Sequence, residues 1–111
     1  DASRGCLGDP ADDVTCMSVN YLFFAADAHR SWARGLGPLW RRFWEVYLAE
    51  SGDAAVLEAA PPWLAWRSLV VSSPRFYPRL PAKARDTLLS FAERALAAGR
   101  LDPASAEELF R

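Results

Sequence analysis

Apolar residues return every three to four positions along most of this chain, which is the helical period. Between about Ala11 and Ala28, Val14, Met17, Tyr21 and Phe24 mark one stripe, and Val19, Leu22 and Phe23 fill the other sides. A helix that is apolar nearly all round belongs inside a larger body. Gly35 and Gly37 break the pattern, and Pro38 suits a first helical position. Leu36, Leu39, Trp40, Phe43 and Tyr47 form the next stripe, with Arg41, Arg42, Glu45 and Glu50 mostly off it. Ser51-Gly52-Asp53 ends that helix, and Asp53 can cap a short turn over residues 54–58. Pro61-Pro62 is expected to start another apolar helix through Trp63, Leu64, Trp66, Leu69, Val70 and Val71. Its β-branched end also suits a strand, but its length and proline start favour a helix. Pro74, Pro78 and Pro81 frame a loop over residues 72–81. Residues 82–98 read as an amphipathic helix carried by Leu88, Leu89, Ala92, Ala95 and Leu96 and stopped at Gly99. Asp102-Pro103 opens a last short helix, with Glu107 and Glu108 outward and Leu109 and Phe110 inward. The pattern predicts an all-α chain of about five helices.

Composition narrows this picture. A chain of 111 residues fits one domain, and its 51% apolar content with five Trp is that of a chain with a core. The net charge of −1 provides no global field for nucleic acid or an anionic membrane. The most apolar stretch, residues 14–28, carries Thr15, Ser18, Asn20 and Asp27 and falls short of the ~20 apolar residues of a membrane span. No secretion or transit signal opens the chain, so a cytoplasmic protein is expected, with Cys6 and Cys16 as free thiols. Twelve Arg accompany a single lysine, Lys83, and the six glycines are scattered, so no P-loop-type phosphate cradle is present.

Several candidate chemistries weaken on inspection. His29 is the sole histidine and sits in Asp27-Ala28-His29-Arg30, where a helix end favours a cation. A Ser-His-Asp or Cys-His unit would need it. Cys6, Cys16 and His29 lack paired zinc-ligand spacing. The aromatic set Trp32, Trp40, Trp44, Trp63, Trp66, Phe76 and Tyr77 could line a cleft, but ordinary core packing is the plainer account. Asp27, Glu45, Glu50, Asp53 and Glu58 could wall a polycation site, against the plainer reading of solvated helix faces. Arg67 lies in an apolar helix beside Trp66 and Leu69, which calls for a carboxylate partner and a structural ion pair.

The first thirteen residues remain. Asp1, Asp9, Asp12 and Asp13, with Gly5, Gly8 and Pro10, precede the long apolar segment. Mg²⁺ takes one or two protein carboxylates plus substrate phosphates, so a single loop Asp can be its ligand. Acids at a helix N-terminus are also favourable by ~0.3–1 kcal/mol each, and on composition alone capping is the simpler explanation.

Asp1, Arg4, Gly8-Asp9-Pro10-Ala11 and Asp13, followed by an apolar helix, resemble the loop after the catalytic loop in aminoglycoside phosphotransferase-like kinases. The specific likeness covers about thirteen residues; the remainder fits as the helical, substrate-side part of a kinase-like C-lobe. The resemblance implies a metal-binding-loop segment over residues 1–13 and a helical substrate-side subdomain over residues 14–111. It implies that Asp1 coordinates Mg²⁺ beside ATP, while Arg4, Asp9 and Asp13 support the active site, Asp13 as a buried hydrogen-bonding Asp. Ala2-Ser3 stand where protein kinases have Phe-Gly. The catalytic loop and nucleotide-binding lobe are not in this segment. The implied function is therefore the C-terminal part of an ATP- and Mg²⁺-dependent phosphotransferase acting on a small-molecule hydroxyl, such as an aminoglycoside or a choline-like or homoserine-like compound. The segment alone is expected to be inactive and to self-associate, lacking the N-terminal part that would cover it. The alternative is a non-catalytic helical protein–protein interaction module.

Overall fold

The computed structural model describes residues 5–27, 32–106 and 108. Four α-helices carry the fold: α1 (Pro10–Asp27), α2 (Gly37–Ser51), α3 (Val56–Ser72) and α4 (Ala82–Ala98). A π-helical turn, Trp32–Leu36, leads into α2, and a 3₁₀ turn, Pro103–Ser105, follows α4. No strand occurs among the described residues. Their helices include none long and apolar enough to cross a membrane. The radius of gyration, 13.6 Å, is close to the ~13 Å expected of a packed chain this long, so the helices share one body.

The α3 helix packs on both α4 and α1, which also meet each other. That position explains why it is apolar on several sides: Ala60, Leu64, Ser68 and Ser72 form a buried row, and Val56 and Val71 are buried beside it. The expected break at Pro61-Pro62 does not occur, because both prolines lie inside α3. Proline has no N–H and crowds the carbonyl four residues earlier. Here the carbonyl of Leu57, four residues before Pro61, accepts instead from the N–H of Leu101 at 2.8 Å. The bond that Pro61 removes is thus replaced across the fold, and the predicted short turn and helix fuse into one element.

The buried side of α1 also differs from the expected stripe. Ala11, Thr15, Ser18 and Leu22 are fully buried, and Val14, Val19, Phe23 and Ala25 nearly so, whereas Met17 and Phe24 are half exposed. Small residues at this spacing allow a neighbouring helix to approach closely. The Thr15 hydroxyl donates to the Ala11 carbonyl at 2.6 Å and so needs no outside partner.

On α2, Trp40 and Trp44 carry the core contact, both fully buried and edge-on at 5.7 Å between ring centroids. The Trp40 indole N–H donates to the Pro103 carbonyl at 3.1 Å, tying α2 to the last turn. Gly37 is required by close approach, since a Cβ there would lie 2.6 Å from the Trp32 carbonyl oxygen. Gly52 and Gly99 end α2 and α4 at φ of +67° and +70°, the left-handed conformation that glycine adopts without strain. On α4 the buried side is Ala84, Leu88, Phe91, Ala92 and Ala95, while Leu96 is half exposed. The final short helix opens as the 3₁₀ turn Pro103–Ser105, and Ala106 and Glu108 are α-helical, the first buried and the second exposed; Glu107, Leu109 and Phe110 lie outside the described residues.

Candidate functional site

Among the described residues, Asp9, Asp12 and Asp13 lie at the entrance to α1. Asp9 stands at the cap: its carboxylate accepts the Ala11 N–H at 2.9 Å, and its carbonyl accepts the Asp12 N–H at 3.0 Å. Pro10 takes the first helical position, where a missing N–H costs nothing. Gly5, Cys6, Gly8, Asp9, Pro10, Asp12 and Asp13 surround a recess of about 270 Å³.

Asp12 has a partner that spacing did not reveal. Its carboxylate accepts a charge-assisted hydrogen bond from the Arg67 guanidinium on α3, and the two side chains are 40% and 23% exposed. The ion pair expected of Arg67 is therefore present, and it pins the first turn of α1 to the middle of α3. Asp13, by contrast, is exposed in this chain, whereas the resemblance implies an Asp buried against a catalytic loop. The reason is rotational: Ala11, Val14 and Thr15 occupy the inward side of this turn, and Asp13 falls on the opposite one. Asp1, Arg4 and His29 lie outside the described residues.

No group of three His, Cys, Asp or Glu side chains among the described residues could hold a metal ion. Asp9 accepts from the Ala11 N–H and Asp12 from Arg67, while Asp9 and Asp13 are both exposed and Asp12 is half-buried. Cys6 and Cys16 are free and exposed.

A larger concavity lies elsewhere. Tyr21 of α1 and Leu39, Arg42, Phe43, Val46, Tyr47, Glu50 and Ser51 of α2 line a groove of about 720 Å³. Tyr21 and Phe43 meet at 5.9 Å between ring centroids and form its wall. The Tyr47 hydroxyl donates to Asp53 at 3.3 Å; partial burial, and then the Asp53 charge and hydrogen bond, push its pKa above the ordinary phenol value. A smaller recess of about 350 Å³ gathers Phe23, Asp27, Phe76 and Tyr77 with the loop over residues 78–80. Arg85 braces that loop by donating to the carbonyls of Ser72, Tyr77 and Leu80.

The aromatic set thus divides between core and surface. Trp40 and Trp44 belong to the core, Trp66 and Phe76 are more than half exposed, and Trp32 and Trp63 pack at the core edge. The acidic residues do not form one wall. Glu45 pairs with Arg42 at 3.0 Å, Glu58 pairs with Arg100 at 3.0 Å, and Asp53 serves Tyr47. Sequence reasoning missed Val46 and the groove beside it. The signal was available in the four-residue rows 42-46-50 and 39-43-47-51, which a search for one buried stripe overlooks.

Over the described residues the molecule is thus a four-helix, all-α body with a capped acidic loop at one helix entrance and an open apolar groove on another helix. No protein-family profile matches the chain, and neither a curated protein nor a solved structure matches it.

Proposed function

We propose that this chain is the helical, substrate-side part of the C-lobe of a cytoplasmic, ATP- and Mg²⁺-dependent phosphotransferase acting on a hydroxyl of a small molecule. The observation that carries the reading is the Gly8-Asp9-Pro10-Ala11 cap with Asp12 locked onto Arg67. A loop that positions a metal ligand needs a rigid base, because phosphoryl transfer depends on placement and charge neutralisation. Asp9 and the Asp12–Arg67 pair supply such a base at the point where the chain enters α1. In this reading Asp1 would be the Mg²⁺ ligand, Arg4 would brace the loop, and Asp13 would face whatever covers the recess. Mg²⁺-ATP would supply the transferring phosphoryl group. Asp13 is exposed in this chain, which accords with a site whose other side belongs to an N-terminal part of the same protein.

The test compares the protein extended upstream through a catalytic loop with its Asp1→Asn variant, using ATP consumption across a panel of amino- and hydroxyl-bearing small molecules. Loss of turnover by at least about a hundredfold in Asp1→Asn is expected, the scale of removing one directly acting charged group. The 111-residue chain alone is expected to be inactive. Full activity in Asp1→Asn, or transfer by the isolated chain, would remove the proposal. One observation favours the alternative of a helical interaction module, namely the apolar groove on α2, which is far larger than the acidic recess.

A further inference from the structure

The groove on α2 has a geometry of its own. Its residues fall on two neighbouring rows of one helix: Leu39, Phe43, Tyr47 and Ser51 at four-residue intervals, and Arg42, Val46 and Glu50 at the same interval. The space between such rows is the groove into which a row of another helix packs, with axes crossing at about 50°. The lining is largely apolar, and Leu39 and Val46 are 54% and 39% exposed. On α1, Met17 sits one turn before Tyr21 and is 54% exposed, so the apolar surface continues past the groove wall.

The charges identify the occupant. Arg42 and Glu50 stand four residues to either side of Val46, with opposite sign. Two copies of the row 42-46-50 laid side by side in opposite directions place Val46 against Val46. Arg42 then meets Glu50 of the copy, and Glu50 meets Arg42 of the copy. A two-fold interface requires this self-complementarity, in which residue i meets j and j meets i. Within one chain Arg42 reaches Glu45, but both side chains are about two-thirds exposed (67% and 68%), and a pair that open is weak and readily exchanged.

We propose that this face of α2, extended by Tyr21 and Met17, binds a second copy of the same chain through an antiparallel α2–α2 contact centred on Val46. Stable interfaces bury about 800 Å² per partner, and one helix pair with a few α1 residues covers less, so the dimer is weak and concentration-dependent. The proposal needs only α1 and α2 and does not rest on the phosphotransferase reading.

Sedimentation velocity of the 111-residue chain over a wide concentration range is the test. A reversible monomer–dimer equilibrium is expected. Arg42→Glu and Glu50→Arg, each placing like charges together, should raise the dimer Kd by at least about tenfold. The combined Arg42→Glu, Glu50→Arg exchange should return it to within about threefold of the parent value, because the pairs are restored with their direction swapped. Val46→Asp should abolish association while leaving the circular dichroism spectrum and melting temperature near the parent's. A chain that stays monomeric at the highest concentration overturns the proposal and leaves the groove to another kind of partner. Association that persists unchanged in Val46→Asp also overturns it, as does failure of the charge exchange to rescue.

Discussion

The α2 and α3 helices are of similar length yet reach the core in opposite ways. Packed on both α4 and α1, α3 buries residues around about half its circumference, including Ala60, Leu64, Ala65, Ser68 and Val71. Most of its large apolar side chains are used within the chain, although Trp66 and Leu69 are about half exposed and Pro62 is exposed beside them. By contrast, α2 touches the core through Trp40 and Trp44 and leaves Leu39 and Val46 to solvent, with Phe43 and Tyr47 between. A helix with two neighbours spends its apolar residues on folding. A helix at the edge has a face to spare, and that face is where association is to be sought.

Cutting both sides of α2 gives the largest contrast. Trp44→Ala should cost about 3–5 kcal/mol, the range for emptying a buried aromatic site. Val46→Ala on the outer row should change stability by less than about 0.5 kcal/mol. Urea unfolding followed by Trp fluorescence or circular dichroism measures both. Similar losses at the two positions would mean that the outer face is folded against something in the free chain.

The lock between α1 and α3 comes next. Asp12→Ala should cost about 1–2 kcal/mol, since it leaves a partly buried guanidinium without its acceptor. Because both side chains are partly open, at 23% and 40%, the loss should shrink in high salt. A double-mutant cycle with Arg67→Met isolates the pair; a coupling near zero would mean that α1 is held by packing alone.

The smallest effect concerns the last turn. Asp102 accepts from the Ser105 hydroxyl at 2.7 Å and from the Ala104 N–H at 3.0 Å. These bonds, led by that of Ser105, hold its carboxyl below the ordinary value of 3.8. A carboxyl depressed in the folded state stabilises the fold fully above its unfolded pKa and loses that contribution as pH falls through the folded one. The parent should therefore lose its advantage over Asp102→Asn as pH drops below about 4, which melting temperatures at successive pH values will record. An advantage unchanged down to pH 2 would mean that the carboxylate charge is not what holds this turn.

Much of the architecture was readable before any coordinates. Residues 82–98 form α4 with the boundaries that their periodicity and Gly99 announced, and Gly52 closes α2 in the same way. Such boundaries are local: a cap, a left-handed glycine and a period of 3.6 act over a single turn. The need of Arg67 for a carboxylate was readable too, because an arginine among apolar neighbours must be compensated wherever it lies. That an acid would cap the start of α1 was readable as well, but not which one: Asp9 and Asp12 both suit the role, and in the fold Asp9 takes it with Pro10 as the first helical residue.

Other features depend on neighbours distant in sequence. Asp12, and not Asp9 or Asp13, meets Arg67 because the packing of α1 on α3 sets which side of the first turn faces inward. The same rotation leaves Met17 and Phe24 outside, although their spacing matched a core stripe; a helix apolar on all sides carries no internal signal of which face wins. Pro61 is tolerated within α3 because Leu101, 40 residues onward, takes up the Leu57 carbonyl that Pro61 leaves without a donor. The periods and caps of the helices were thus written in the chain itself. Their facing, their polar partners and the exposed row on α2 came from long-range packing, because only the folded arrangement brings those surfaces within contact distance.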